Sequence, residues 1–130
     1  MDSMTIPTEL TMDTDDACAL SLEFWRLSVI ADLLKDSNQG PGLRHAVRRI
    51  SEALKGMGIE VVDFVGRPYD PGMVPEVVEV REDQTLPYGR AIIDETIAPT
   101  VTWRGQVIKP GQIIVKCSPL RSQEHTKVVE

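Results

Sequence analysis

The sequence has 130 residues, of which 42% are hydrophobic, and it carries a formal net charge of -6. A chain of this length most simply forms one folded domain with one core, and its negative charge argues against binding to nucleic-acid phosphates. The N-terminus lacks the basic and apolar regions of a signal peptide, and no apolar run approaches the roughly 20 residues that span a bilayer. The isolated cysteines Cys18 and Cys117 fit reduced thiols. A cytoplasmic protein without membrane contact is predicted.

The N-terminal half is predicted to be a mobile acidic tail followed by a helical hairpin. Residues 1–16 show no periodicity, and a helix start is expected at Asp15 or Asp16. Two apolar stripes at helical spacing follow, one through Leu20, Phe24, Leu27, Ala31 and Leu34 and one through Leu22, Trp25, Val29 and Leu33. Breaker residues 36–42 predict a turn, and a second amphipathic helix follows it. The hairpin spans residues 17–58, where Gly56 and Gly58 are expected to end the second helix.

The two apolar stripes require neighbours on both sides of the first helix. One solution is a dimer that completes a helical bundle, and the alternative is a fully buried helix in a monomer. The residues predicted to form the dimer are Leu20, Phe24, Trp25, Leu27, Ile30, Leu34, Val47, Ile50 and Leu54.

The period changes from helical to extended after Gly58. Short β-rich runs occur at residues 59–65, 77–80, 91–97, 101–103, 106–108 and 112–116. They predict a small β domain over residues 59–117, a barrel or a sandwich, in which turns at Arg104-Gly105 and Pro110-Gly111 fold the last three runs into a meander. The fold class is therefore α+β, with helices first and strands second. Residues 118–130 are predicted to form a second mobile tail.

The sequence contains none of the usual motifs of catalysis or cofactor binding. The two histidines, His45 and His125, fall on a helix and in the C-terminal tail, which leaves little for a triad or a zinc cluster. Phosphate-binding and nucleophile motifs are absent. A carboxylate site is still conceivable among six acids, but a solvated rim is the simpler interpretation: Glu76, Glu79, Glu82, Asp83, Asp94 and Glu95. We predict no cofactor, no metal and no enzymatic activity.

A rigid corner, GRPYDP, follows the first strand at residues 66–71. Gly66, Pro68, Asp70 and Pro71 have the residue types of tight turns. Tyr69 lies among them, and its ring either closes the sheet or forms a contact with a partner, because aromatic residues are enriched in binding hot spots. Trp103, beside the Arg104-Gly105 turn, presents the same two alternatives.

Several motifs occur in an order that resembles GrpE-type nucleotide exchange factors. They are the helix end and first strand KGMGIEVVD, the corner GRPYDP, the break LPYG and the closing WRGQVIKPGQIIVK. With the glycine at the start of the second helix, the resemblance covers residues 25–117. It departs from the family pattern at residues 74–78, where Pro75 stands in place of a histidine, and at residues 98–101. The long N-terminal stalk helix of the family does not fit in the short stretch before the first helix.

The resemblance implies a function in protein folding and the stress response. It implies a homodimeric co-chaperone that wedges its β domain against the ATPase domain of a DnaK-type chaperone and promotes ADP release. Tyr69 and Val115 take the positions of the family's apolar contact face, with Ile97 as a third position. A different possibility is a GrpE-derived interaction module that docks on another protein without exchange activity, and an enzyme with a carboxylate site is a third.

Overall fold

The structure is a computed structural model that describes residues 5–119. Helices α1 (Thr14–Leu33) and α2 (Gly40–Gly56) come first, and six strands follow: β1 (Ile59–Val62), β2 (Glu76–Glu82), β3 (Ala91–Ala98), β4 (Thr100–Trp103), β5 (Gln106–Lys109) and β6 (Gln112–Cys117). The α+β fold class, a helical hairpin followed by a small all-β head, is confirmed. The predicted C-terminal tail lies mostly outside the described residues.

Helix α1 begins at Thr14, earlier than the acidic pair that suggested its start. Asp13 is the N-cap, and its Oδ1 accepts a hydrogen bond of 2.8 Å from the backbone N–H of Asp16. Asp15 and Asp16 therefore lie in the first turn, where carboxylates interact favourably with the helix dipole. Among residues 5–119, neither helix is long and apolar enough to cross a membrane.

Glycines set both ends of α2. A Cβ on Gly40 would lie 2.5 Å from the carbonyl oxygen of Lys35, so the tight turn between the helices needs a residue without a side chain. At the other end, Gly58 adopts φ +82° and its N–H donates to the Lys55 carbonyl, which is the left-handed helix ending that the sequence suggested. Gly56 is the last helical residue and does not take part in that ending.

The strands form two three-stranded sheets, in the orders β1-β4-β5 and β2-β6-β3. The turn between β4 and β5 is the predicted one, with positive φ at Arg104 and Gly105. The predicted meander of the last three runs is wrong, because β6 crosses to the second sheet, where it pairs parallel with β2 and antiparallel with β3. Gly111 permits this crossing: a Cβ there would lie 2.6 Å from the Ala98 carbonyl oxygen.

Each sheet has its own cluster of buried residues. Ala17 and Leu54 of the helices pack with Ile59 and Val101 of the first sheet, so this cluster joins the hairpin to the head. Ile93, Ile113 and Val115 form the cluster of the second sheet, which Phe64, Tyr69 and Met73 border. The hairpin and the head therefore meet through the first sheet.

Helix α1 packs on α2 through small residues. Ala17, Ser21 and Ala31 are buried, and the Ser21 hydroxyl donates to the Ala17 carbonyl at 2.7 Å. Their spacing of four and ten residues puts them on one face of the helix. The larger apolar side chains Leu20, Ile30 and Leu34 are 41–49% exposed, so the single chain uses one face of α1 and leaves a second apolar face open.

Candidate functional site

The corner after β1 lies along the outer edge of β3. The N–H groups of Gly66 and Tyr69 donate to the carbonyls of Ile93 and Ala91, both at 2.8 Å, and Ile93 N–H donates back to Arg67 at 2.9 Å. Pro68 forms a β-bridge with Ile92. The corner is thus fixed to the sheet by backbone hydrogen bonds and covers its β3 edge.

Asp70 shapes the second half of the corner. Its Oδ1 accepts a hydrogen bond of 3.0 Å from Gly72 N–H, which is the Asx turn that the Asp-Pro pair favours. The Met73 N–H donates to the Asp70 carbonyl at 2.9 Å, and the Met73 side chain then packs against the cluster of the second sheet. Asp70 has the role of a turn residue.

Tyr69 and Val115 are brought together, but in the interior. Val115 is 3% exposed and belongs to the buried cluster of the second sheet, and the half-buried Tyr69 packs against that cluster. The Tyr69 ring therefore contributes to the core, and its role as a contact with a partner stays a prediction. Val115 supports the ring and does not itself offer a contact surface.

Ile97, the third predicted contact residue, lies at the far end of β3 from the corner. It occupies a bulge in the pairing with β6 and is 43% exposed. It borders a cleft of about 400 Å³ between α1 and the head, whose walls include Leu22 and Val101. The structure therefore does not bring Ile97 together with Tyr69.

Asp63 joins the hairpin to both sheets. Its Oδ2 accepts a hydrogen bond of 2.8 Å from Nε1 of Trp25 on α1, and its Oδ1 accepts from the Thr96 hydroxyl on β3 at 2.6 Å and from Val65 N–H at 3.0 Å. Burial, the largest single effect, raises the pKa of Asp63, but the hydrogen bonds from Thr96, Trp25 and Val65 together bring the pKa below its ordinary value. The Asp63 carboxylate is charged at neutral pH and ties three elements together.

The same contacts explain why β1 ends earlier than the sequence suggested. The strand was predicted to continue to Val65 but ends at Val62. At the next residue, the Asp63 side chain binds its own backbone two residues on, which competes with strand pairing.

A second joint connects α2 to the β4–β5 turn. Trp103 Nε1 donates to the Met57 carbonyl at 3.1 Å, and Arg104 N–H donates to the Gly58 carbonyl at 2.8 Å. The Arg104 guanidinium lies 4.7 Å from the centre of the Trp103 ring. Trp103 therefore satisfies a carbonyl at the end of the helix, while 40% of its surface stays exposed.

Four of the six acids considered for a carboxylate site lie around two cations on the outer face of the second sheet. Arg81 reaches across β6 from β2: its Nε lies 2.7 Å from Glu79, and its Nη1 lies 3.3 Å from Asp94 and 3.5 Å from Glu95. Lys116 lies 3.4 Å from Asp83 and 3.5 Å from Asp94. Glu79 raises the pKa of Arg81. These carboxylates form ion pairs at the surface, as the solvated-rim interpretation expected.

The residues predicted to form a dimer divide into two groups. Leu54 is 2% exposed, Phe24 and Ile50 pack against the same cluster, Trp25 is bonded to Asp63, and Val47 borders a groove with Phe24 and Ala31. These five residues stabilise the single chain. Leu20, Leu27 and Ile30 of α1 and its C-cap Leu34 lie beside the buried face of the helix, and we call these four residues the α1 stripe.

The molecule is thus a helical hairpin that carries a two-sheet β head. No protein-family model matches the chain. Four curated proteins that match it are each called Protein GrpE. The protein of Bacillus subtilis (strain 168) is 28% identical over 89 residues, which cover 68% of this chain and 46% of the relative. The protein of Wolbachia sp. subsp. Brugia malayi (strain TRS) is 28% identical over 109 residues, which cover 83% of this chain and 55% of the relative.

These matches confirm the resemblance to GrpE-type proteins, at low identity. The chain spans about half the length of the curated relatives it matches.

Sequence reasoning missed Asp63, whose carboxylate accepts three hydrogen bonds. Asp63 was quoted only as the end of the first strand, although a carboxylate directly after a β-branched run is a known turn signal. Its partners Trp25 and Thr96 lie 38 and 33 residues away, and no periodicity of the sequence pairs them.

Proposed function

We propose that the chain is a cytoplasmic co-chaperone that promotes ADP release from a DnaK-type chaperone, as GrpE-type nucleotide exchange factors do. The observation that carries the proposal is the similarity to four GrpE proteins over 57–83% of the chain. In this proposal the protein breaks and forms no covalent bond and needs no cofactor.

The mechanism is a shift between two conformations of the chaperone. A head that binds the open ATPase domain more tightly than the closed one must weaken ADP binding by the same factor. A hundredfold preference corresponds to a coupling free energy of about 2.7 kcal/mol. The head can act as a wedge only if it keeps its shape and its angle to the hairpin.

The two joints described above support a rigid head. Asp63 connects α1 to both sheets, and Trp103 connects α2 to the first sheet. The burial of Leu54 against Ile59 and Val101 adds an apolar contact between them. Force applied to the head is therefore transmitted to the hairpin through contacts on both helices.

The proposed contact surface is centred on the corner. The half-buried Tyr69 ring provides an aromatic anchor that packs against the buried cluster of the second sheet, and Val65 and Val74 on the same segment are each 51% exposed. Such a combination of a supported aromatic side chain and nearby apolar surface is typical of binding hot spots. Ile97, at the other end of β3, is a separate proposed contact.

We also propose that the α1 stripe forms a homodimer. Leu20, Ile30 and Leu34 are 41–49% exposed in the single chain and Leu27 is partly buried, and two such helices bury these apolar side chains when they pair.

The experiment that tests the function is the release of fluorescent ADP from a DnaK-type chaperone. Saturating protein should accelerate release at least about tenfold, which lowers the barrier by about 1.4 kcal/mol. Retention of the chaperone on the immobilised protein should accompany the acceleration.

The second candidate is an interaction module that docks on a different protein without exchange activity. It is favoured by one observation, that Pro75 stands, buried, where the family pattern has a histidine. Unchanged ADP release, together with a captured partner other than a DnaK-type chaperone, would establish this function instead.

A further inference from the structure

The two edges of the second sheet are different. At the β3 edge, the corner supplies three backbone hydrogen bonds, with Gly66, Arg67 and Tyr69 as partners. At the other edge, β2 (Glu76–Glu82) pairs only with β6 within residues 5–119. With seven residues it is longer than β1 and β5, which have four residues each at the edges of the first sheet.

The outward backbone groups of β2 can be assigned from the ladder. Glu76 N–H donates to Gly111 and Asp83 N–H to Cys117, so these residues bond toward β6. Residues of a parallel strand alternate between the two sides, and the register therefore points the N–H and C=O groups of Val80 and Glu82 away from β6. Exposed edges of this kind can pair with another strand.

The side chains of β2 leave that edge accessible. Val78 and Val80 are 46% and 61% exposed, and the strand contains no proline within Glu76–Glu82. Its one cation, Arg81, is drawn across the sheet to Asp94 and Glu95 and does not cover the edge. Accessible apolar side chains beside unpaired backbone groups are the features that strand addition uses.

The charge around the β2 edge determines which kind of strand can pair with it. The edge carries Glu76, Glu79 and Glu82, and the neighbouring acids Asp83, Asp94 and Glu95 outnumber the two cations Arg81 and Lys116. A second copy of β2 would place glutamates opposite glutamates, which opposes self-pairing. A segment in which basic residues alternate with apolar ones would place its cations near the acids and its apolar side chains beside Val78 and Val80.

We propose that the β2 edge binds an extended basic segment of a partner polypeptide by strand addition. This site lies on the sheet edge opposite to the corner, and it is independent of the proposed exchange function. The acidic residues favour a partner segment with positive charge, and the backbone of Val80 and Glu82 provides the hydrogen bonds.

The test uses the full chain and a fluorescent peptide of alternating lysine and valine, seven residues long. Binding should be at least about tenfold tighter than that of the same-length glutamate–valine peptide and should weaken with salt. Backbone N-methylation of alternate peptide residues, which keeps the charge but removes donors, should reduce binding at least as much. Equal binding of the methylated peptide would show a simple charge attraction and would overturn the proposal.

Three protein variants locate the site. Val80→Pro removes an outward N–H that β6 does not use and should abolish peptide binding, whereas Val80→Thr keeps the N–H and should preserve it. The double variant Glu76→Lys/Glu82→Lys, which leaves the backbone intact, should weaken binding at least about tenfold. In the wild type, peptide should slow amide hydrogen exchange at Val80 and Glu82. Protection elsewhere, or no binding at about 1 mM peptide, would overturn the proposal, while ADP release separately reports the exchange function.

Discussion

Trp25 Nε1 donates a hydrogen bond of 2.8 Å to Oδ2 of Asp63, and this bond links the middle of α1 to the end of β1. Both partners are half-buried, so water does not fully replace the bond when it is lost. Hydrogen bonds to charged groups contribute more than neutral ones. The angle between hairpin and head therefore depends on this pair.

Trp25→Phe keeps most of the ring and removes the donor. We expect the free energy of unfolding to fall by about 2 kcal/mol, measured by urea denaturation. The control is Trp103→Phe, which removes an N–H bond to a neutral carbonyl at the surface and should cost less. A larger loss in Trp103→Phe would contradict the assigned importance of Asp63.

The lowered pKa of Asp63 predicts how stability depends on pH. Because the pKa is lower in the folded state than in the unfolded one, the charged carboxylate stabilises the fold fully above the unfolded value of about 3.9. This stabilisation is lost as the pH falls through the folded pKa. Thermal unfolding of Asp63→Asn should therefore depend less on pH below about 4 than that of the wild type. Asp36→Asn, in the exposed turn between the helices, is the control and should follow the wild type.

Substitutions at Tyr69 test the contributions of its ring to stability and to partner binding separately. Tyr69→Ala should cost about 2 kcal/mol of unfolding free energy, since the ring packs against Ile93 and Val115, and it should weaken chaperone binding by more than about 1 kcal/mol. Tyr69→Phe keeps the ring and should change stability by less than about 0.5 kcal/mol. Calorimetry and ADP release measure the two effects. Unchanged chaperone binding by a folded Tyr69→Ala protein would assign the ring to the core alone.

Two glycines should respond to alanine in opposite directions. Gly111→Ala would place a Cβ 2.6 Å from the Ala98 carbonyl oxygen where β6 crosses between the sheets, and we expect a loss of about 2–3 kcal/mol. Gly42 lies inside α2 with nothing within 4 Å of its Cβ position. Gly42→Ala should therefore stabilise the protein by up to about 1 kcal/mol. Chemical denaturation of the two variants checks both signs.

The α1 stripe predicts the oligomeric state. Ile30→Lys should convert a dimer into a monomer in light scattering after size exclusion, because it places a charge in the proposed apolar interface. Val29→Lys changes a residue of similar exposure outside the stripe and should leave the dimer intact. A wild-type monomer at high concentration would rule out this interface.

The helices and strands were largely predictable because periodicity and turn residues are local signals. The face of α1 that packs was predicted only in part: the apolar stripe included Phe24 and Ala31, but hydrophobicity did not select the small residues Ala17 and Ser21. The place of β6 was missed since consecutive strands usually pair. Its run of Ile113, Ile114 and Val115, buried on both faces, was the available sign of a central strand. Contacts such as Trp25 with Asp63 depend on the tertiary fold alone.

The position of β6 in the sheet affects how the head can fold during translation. It is the middle strand of its sheet, yet it follows both of its neighbours in the chain. While the polypeptide is being synthesised, neither β2 nor β3 can pair with β6 until residues 112–117 have left the ribosome. The edges of β2 and β3 that pair with β6 therefore stay open until then, and the second sheet closes in one late step.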